Sequence, residues 1–298
     1  MATPMQAELI VDAKNGVGES PVWSASEQAL YWVDITERTL NRWDAATAQT
    51  SHWQTPEMLA CIAPTATGAW VAGMETGMFA VTCLPDGSVT SECIAPVIHA
   101  QSGMRFNDGR CDRQHRFLAG TMVMDMALAS PAGRVYRLDD VAVTPLLDGL
   151  ITPNGMAFSP DGKTMYLSDS HPSVQLVWAF DYDTSTGTPS NRRVFIDMNQ
   201  HPGRPDGAAV DADGCYWICG NDAGLVHRFT PAGKLDYSIA VPVKKPAMCA
   251  FGGAGLNTLF VTSIRPGNTD LSDQPLAGGL FAFNTSVQGI PEPVMRDL

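Results

Sequence analysis

Residues 204–220, RPDGAAVDADGCYWICG, decide the fold. They read as a turn-like Pro205-Asp206-Gly207, a short apolar run, a tight turn at Asp213-Gly214 and a second apolar run. Pro, Asp and Gly supply the backbone angles that turns require. The aromatic and β-branched residues on either side favour strands. The same phrase stands at 153–169, PNGMAFSPDGKTMYLSD, with Asn154 in place of Asp206 and Pro160-Asp161-Gly162 as the turn. Four further stretches follow the pattern: GESPVWSASEQALYWVD from Gly18, LACIAPTATGAWVAG from Leu59, FNDGRCDRQHRFLAGTM from Phe106, and AMCAFGGAGLNTLFVTS from Ala247.

Six rows of strand, tight turn, strand, loop and strand therefore fill the chain. The matched positions are Glu19, the stretch Leu59 to Ile62, Asn107, Asn154, Asp206 and Met248. The last three steps are 47, 52 and 42 residues. A four-stranded propeller blade takes ~40–50 residues. The expected fold is all-β: a six-bladed β-propeller of four-stranded antiparallel blades, one domain over residues 1–298. No helical periodicity is sustained over twelve residues, which disfavours an α/β alternative. The strand-like AELIVDA (7–13) has no row of its own. It is expected to pair near 279–284 and close the ring, because an unpaired first strand would leave a reactive edge.

Composition sets further bounds. Of 298 residues, 45% are hydrophobic and 17% charged, a core-forming balance. The net charge of −12 argues against a nucleic-acid partner, which would need a basic surface. No apolar run approaches the ~18 residues of a membrane span, and the N-terminus lacks the pattern of a signal peptide. The seven cysteines are odd in number and contain no CxxC pair. A thiolate zinc site is therefore not expected, and free thiols in a cytoplasmic protein are.

The innermost strands of a propeller line its axis, so matched positions converge there. Glu19, Asn107, Asn154 and Asp206 then form an all-oxygen set of two carboxylates and two amides. Paired carboxylates in a narrow tunnel repel and lose solvation. A hard cation relieves this, with oxygen ligands around it. Each residue also has a plainer reading, since Pro-Asn-Gly and Pro-Asp-Gly are good turns in their own right. Arg105 lies two residues before Asn107 and shares its strand face. Its guanidinium suits a hydroxyl or carboxylate ligand and would equally serve an ion pair between blades.

The motifs at 18–21 (GESP), 105–109 (RFNDG), 119–122 (AGTM), 153–155 (PNG), 158–170 (FSPDGKTMYLSDS) and 204–214 (RPDGAAVDADG) together resemble the regucalcin/gluconolactonase family of sugar lactonases. The resemblance runs from about residue 15 to 283. It implies one divalent metal on the axis, whether Ca, Zn, Mg, Mn or Fe(II), held by Glu19, Asn154 and Asp206. It also implies sugar hydroxyls held by Arg105 and Asn107. Many members carry a glutamate after Gly-Thr-Met that also touches substrate; its nearest match here, and so the third implied substrate contact, is Asp125, one methylene shorter. The implied reaction is hydrolysis of an aldonolactone to the aldonic acid by metal-activated water, with Asp206 as general base. No Gly-x-Ser-x-Gly elbow marks a serine nucleophile.

Two other readings keep the fold: a phosphotriesterase-like hydrolase, and a non-catalytic calcium-binding propeller. The expected partner is a small-molecule sugar lactone, with no nucleic acid and no membrane, on a monomer or weak oligomer. The loops at 122–133 and 265–278 are expected to overhang the mouth and tune substrate choice.

Overall fold

The computed structural model describes residues 6–296. Its strands form six four-stranded antiparallel sheets. The inner strands are Gly18–Ser24, Cys61–Pro64, Met104–Cys111, Pro153–Phe158, Arg204–Val210 and Pro246–Gly252. Each packs beside the next, and the sixth returns to the first, so the ring closes. Helix among the described residues is limited to two 3-10 turns, Met126–Leu128 and Met198–Gln200. Among the described residues no helix is long and apolar enough to cross a membrane.

The opening stretch folds as its residues dictate. Arg204–Val210 runs into a turn where Gly214 takes φ +80, and Tyr216–Asn221 returns beside it. Asp211 is buried in that turn and accepts from the backbone N–H of Asp213 and Cys215 at 3.0 and 2.9 Å. The sequence rows show three strands each, whereas every blade has a fourth, outer strand. Those outer strands are mostly exposed, as in Thr50–Gln54, so they lack the apolar signature that marks the inner ones.

Sheet faces pack on their neighbours. Tyr166, Tyr216, Ile218 and Phe229 form one such cluster, and Trp217, Val226, Phe251 and Phe281 form another. Each fully buried side chain of this size contributes roughly 1.5–3 kcal/mol. The sixth blade takes its outer strand from the other end of the chain. Glu8–Val11 pairs antiparallel with Leu280–Asn284, with Glu8 opposite Ala282 and Leu9 opposite Phe281.

Five inner strands carry a bulge near their start, between Glu19 and Val22, Phe106 and Gly109, Asn154 and Ala157, Pro205 and Ala208, and Pro246 and Cys249. Bulges re-aim side chains. They also correct the sequence alignment, by one residue at Asn107 and Asp206 and by two at Met248. Glu19 and Asn154 stand just before the bulge, whereas Asn107 and Asp206 stand within it. In the second blade Cys61–Pro64 pairs without a shift, and none of its four residues carries a carboxylate or amide side chain.

Candidate axial site

The starts of the inner strands and the ends of the second strands meet at one mouth, as the pairs Gly18–Asp34, Pro153–Asp169 and Arg204–Asn221 show. Carboxylates anchor the turns that enter two of these strands. Asp34 accepts from the N–H groups of Gly16 and Val17 at 2.7 and 3.0 Å. Asp169 accepts from those of Ile151 and Thr152 at 2.8 and 3.0 Å. The strands so anchored are the ones that carry Glu19 and Asn154.

A chain of hydrogen bonds runs from Arg105 to the Pro205 carbonyl, and a separate bond holds Asp206. Arg105 Nη1 donates to Asn107 Oδ1 at 2.9 Å. Asn107 Nδ2 donates to Asn154 Oδ1 and to the Pro153 carbonyl, both at 3.0 Å. Asn154 Nδ2 donates to Ser170 Oγ at 2.7 Å, and Ser170 Oγ donates to the Pro205 carbonyl. Asn221 Nδ2 donates to Asp206 Oδ2 at 2.6 Å. Three blades are thus bound together around the mouth, and the amide of Asn154 is fixed from both sides.

Glu19, Asp206 and Asn154 are 8%, 7% and 4% exposed. Among the described residues neither Glu19 nor Asp206 has a cation within ion-pair distance; the only hydrogen bond to the Glu19 carboxylate is a 3.3 Å contact from Ser20 N–H. Burial, then the charges of Asp206 and Asp108, hold the Glu19 carboxyl well above its usual range. Burial pushes Asp206 up to about 7, opposed by Arg204 and by the Asn221 hydrogen bond. Arg105 is pushed down to about 10 by burial, with the Glu19 charge opposing. Arg105 and Arg204 thus offset the two buried carboxylates only in part.

Of the residues expected from sequence, Arg105, Asn107 and Asn154 meet directly, and Glu19 and Asp206 lie close enough to repel. Asp125 is separate from this chain. It is exposed, and its carboxylate caps the 3-10 turn by accepting from Ala127 N–H at 3.1 Å. Sequence reasoning missed Asn221, Ser170 and Asp108. Asn221 ends a second strand and Ser170 directly follows one, and neither carries a repeated motif. Asp108 directly follows Asn107 in the RFNDG motif. Its Oδ2 accepts from Met156 N–H at 2.8 Å, while its Oδ1 is buried without a partner.

The match to the SMP-30/gluconolactonase/LRE-like region extends over residues 17–265. The chain belongs to this family. Relatives in the family include a 6-deoxy-6-sulfogluconolactonase of Pseudomonas putida, 36% identical over 290 residues, covering 96% of this chain and 97% of that protein. Regucalcin of Danio rerio is 35% identical over 292 residues, with coverage of 96% and 97%. The solved structure of a calcium-binding protein, regucalcin, from Agrobacterium tumefaciens superimposes with a TM-score of 0.91 at 28% identity, covering 100% of both chains.

The donor set in this family member fits a hard divalent cation. It offers two buried carboxylates outside any ion pair, an amide oxygen, and the orphaned Asp108 oxygen nearby. Among the described residues no three His, Cys, Asp or Glu side chains cluster at ligand spacing. Amide oxygens such as that of Asn154 are donors that suit calcium-like ions better than softer metals.

Proposed function

We propose that the protein is a divalent-metal-dependent sugar lactonase that hydrolyses an aldonolactone to its aldonic acid. The observation that carries this is the buried, unpaired Glu19 and Asp206 pair beside the Arg105–Asn107–Asn154 chain. The sulfogluconolactonase relative supports the substrate class. Glu19, Asn154 and Asp206 would hold the cation. When bound, it would polarise the lactone carbonyl and offset the negative charge of the tetrahedral intermediate.

This chain's own residues would do the rest. Arg105 and Asn107 present hydrogen-bonding groups to the sugar hydroxyls, their geometry set by mutual contact. Asp206, oriented by Asn221, accepts the proton of the attacking water. The bond from the carbonyl carbon to the ring oxygen breaks, that oxygen takes up a proton, and the ring opens to the acid. Asp125 reaches substrate in this proposal only by leaving its cap on Ala127, which makes it a weaker sugar contact than a longer glutamate. The polar Arg105–Asn107 rim favours a polyol over an apolar phosphotriester. A cytoplasmic setting fits the seven free thiols.

The test is acid release from a panel of aldonolactones by chelator-stripped protein, before and after addition of Ca²⁺, Mg²⁺, Mn²⁺ or Zn²⁺. Turnover restored by metal supports the proposal. Metal binding without turnover of any lactone would instead favour the non-catalytic calcium-binding reading.

A further inference from the structure

Neighbouring inner strands of a propeller do not form a common ladder, so their facing backbone groups need side-chain partners. Between the third and fourth blades one residue is gripped twice. Asp108 Oδ2 accepts from the N–H of Met156 at 2.8 Å, and Arg110 Nη1 donates to the carbonyl of Met156 at 3.2 Å. Met156 lies two residues beyond Asn154 on the same strand. The clamp therefore fixes the strand that carries Asn154.

Arg110 is buried, and its carboxylate partner is Glu292, with Nε 3.4 Å from Oε2. Glu292 belongs to no blade. It sits on the C-terminal segment, which crosses the end of the axis opposite the mouth. That segment starts against the fifth and sixth blades, where Ala212 N–H donates to the Gln288 carbonyl and Gly289 N–H to the Leu256 carbonyl. It ends against the second and third, where Met295 N–H donates to the Pro64 carbonyl at 2.7 Å and His115 Nδ1 lies 2.7 Å from the Val294 carbonyl. Between these anchors Glu292 enters a narrow void beneath the site, lined by Ser20, Ile62, Gly109, Arg110 and Met248.

We propose that Glu292 is a positioning residue for the axial site: it holds Arg110 on the Met156 carbonyl, and through that bond sets where Asn154 stands. The proposal rests on the reading that Asn154 helps to hold the cation. A buried guanidinium without its carboxylate is strongly disfavoured. It escapes by turning toward solvent, and the Met156 carbonyl then loses its donor. The clamp drops to the single Asp108 bond, and the strand gains freedom beside a ligand that must be placed within about 0.5 Å.

The test uses full-length, chelator-stripped protein titrated calorimetrically with Ca²⁺ and, separately, with Mn²⁺. The variants are Glu292→Gln, Glu292→Asp, Arg110→Met and the double variant Arg110→Met with Glu292→Gln. Metal-free melting is followed alongside. Removing an outer partner of a metal ligand typically weakens binding 10–100-fold, and one step further out the expected loss for Glu292→Gln is roughly three- to tenfold. Glu292→Asp keeps the charge and recovers part of the affinity, and it serves as the folded probe if the glutamine variant aggregates. Arg110→Met weakens binding as well, and adding Glu292→Gln to it changes nothing further.

A merely structural tail would lower the melting temperature and leave affinity alone. Wild-type affinity in Glu292→Gln, or equal losses in both Arg110 backgrounds, overturns the inference. Wild-type protein that binds neither ion overturns the metal reading of the site together with this one, whereas binding that is blind to Glu292 overturns this one alone.

Discussion

Asp206 is opposed by its surroundings and tolerated because of its neighbours. Asn221 satisfies one of its oxygens at 2.6 Å, yet burial still raises its pKa to about 7. Replacing it with asparagine removes one charge from a pair that Arg105 and Arg204 offset only in part. The metal-free Asp206→Asn protein should therefore melt higher than wild type, by an amount equivalent to about 1–3 kcal/mol, while lactone hydrolysis falls by at least roughly 100-fold through loss of the base. Scanning calorimetry on stripped protein and titrimetric acid release check the two halves. An active variant, or one that melts lower, would remove Asp206 from the role given to it. Gly207 beside it tolerates nothing larger. A Cβ there would come within 2.3 Å of Met248 Cγ, so Gly207→Ala should cost about 1–3 kcal/mol in urea unfolding. The repeated Pro-x-Gly phrase marks Asp206 in the sequence alongside Asn154, although the structure sets it one residue further along the strand. Asn221 and Ser170 were not legible, since each holds an axial residue from a different strand or blade. The one-residue offset of Asp206 and Asn107 was hidden too, because a bulge depends on strand pairing that a single strand's sequence does not display.

At the scale of the strand and its turn, carboxylates do the anchoring. Asp169 is buried and accepts from the N–H groups of Ile151, Thr152 and His171. Asp169→Ala would orphan three donors, and at ~1–3 kcal/mol for a buried unsatisfied group the expected loss is about 3 kcal/mol or more, with weaker metal binding because Asn154 follows directly. Urea unfolding and calorimetry test this together. His227, on the third strand of the fifth blade, reports on pH. Its Nδ1 lies 2.8 Å from Ser238 Oγ and its Nε2 2.9 Å from the Pro202 carbonyl. Burial lowers its pKa below the ordinary value. The unfolded chain then binds this proton near ~6.5 while the folded chain resists it. Stability tied to His227 is present above that pH and is lost as pH falls through the lowered folded value. The melting temperature should drop on acidification from about pH 7 to about pH 5, and His227→Gln should flatten that part of the slope. A slope unchanged by the substitution would assign the acid sensitivity elsewhere. Tight turns such as Asp213-Gly214 were legible because only a few residues can occupy them. The outer strands were not, since an exposed strand such as Thr50–Gln54 carries the polar composition of a loop.

The whole molecule depends on joining its two ends. Glu8–Val11 completes the sixth blade against Leu280–Asn284, and Ala7 N–H donates to the Ala240 carbonyl of the fifth blade at 2.8 Å. The sequence pointed to this join because a strand without a row needs a partner. Ring closure through a strand from the far terminus ties blade one to blade six by pairing as well as by packing. Removal of residues 1–13 should therefore do two separate things. It should lower stability by roughly 2–5 kcal/mol, the scale set by uncovering a few part-buried apolar side chains such as Leu9 and Val11. It should also leave Leu280–Asn284 as an unpaired edge, which favours association between copies. Sedimentation velocity across a concentration series would show the second effect as a growing dimer or larger species, and a peptide of residues 6–13 added in trans should suppress it. A truncated protein that stays monomeric and melts as the full chain does would mean that packing between blades one and six holds the ring without the join. The site would respond in the same experiment. Glu19 lies on the first inner strand, which packs directly against the sixth blade, so loosening of that seam should weaken Ca²⁺ binding before the remaining blades unfold.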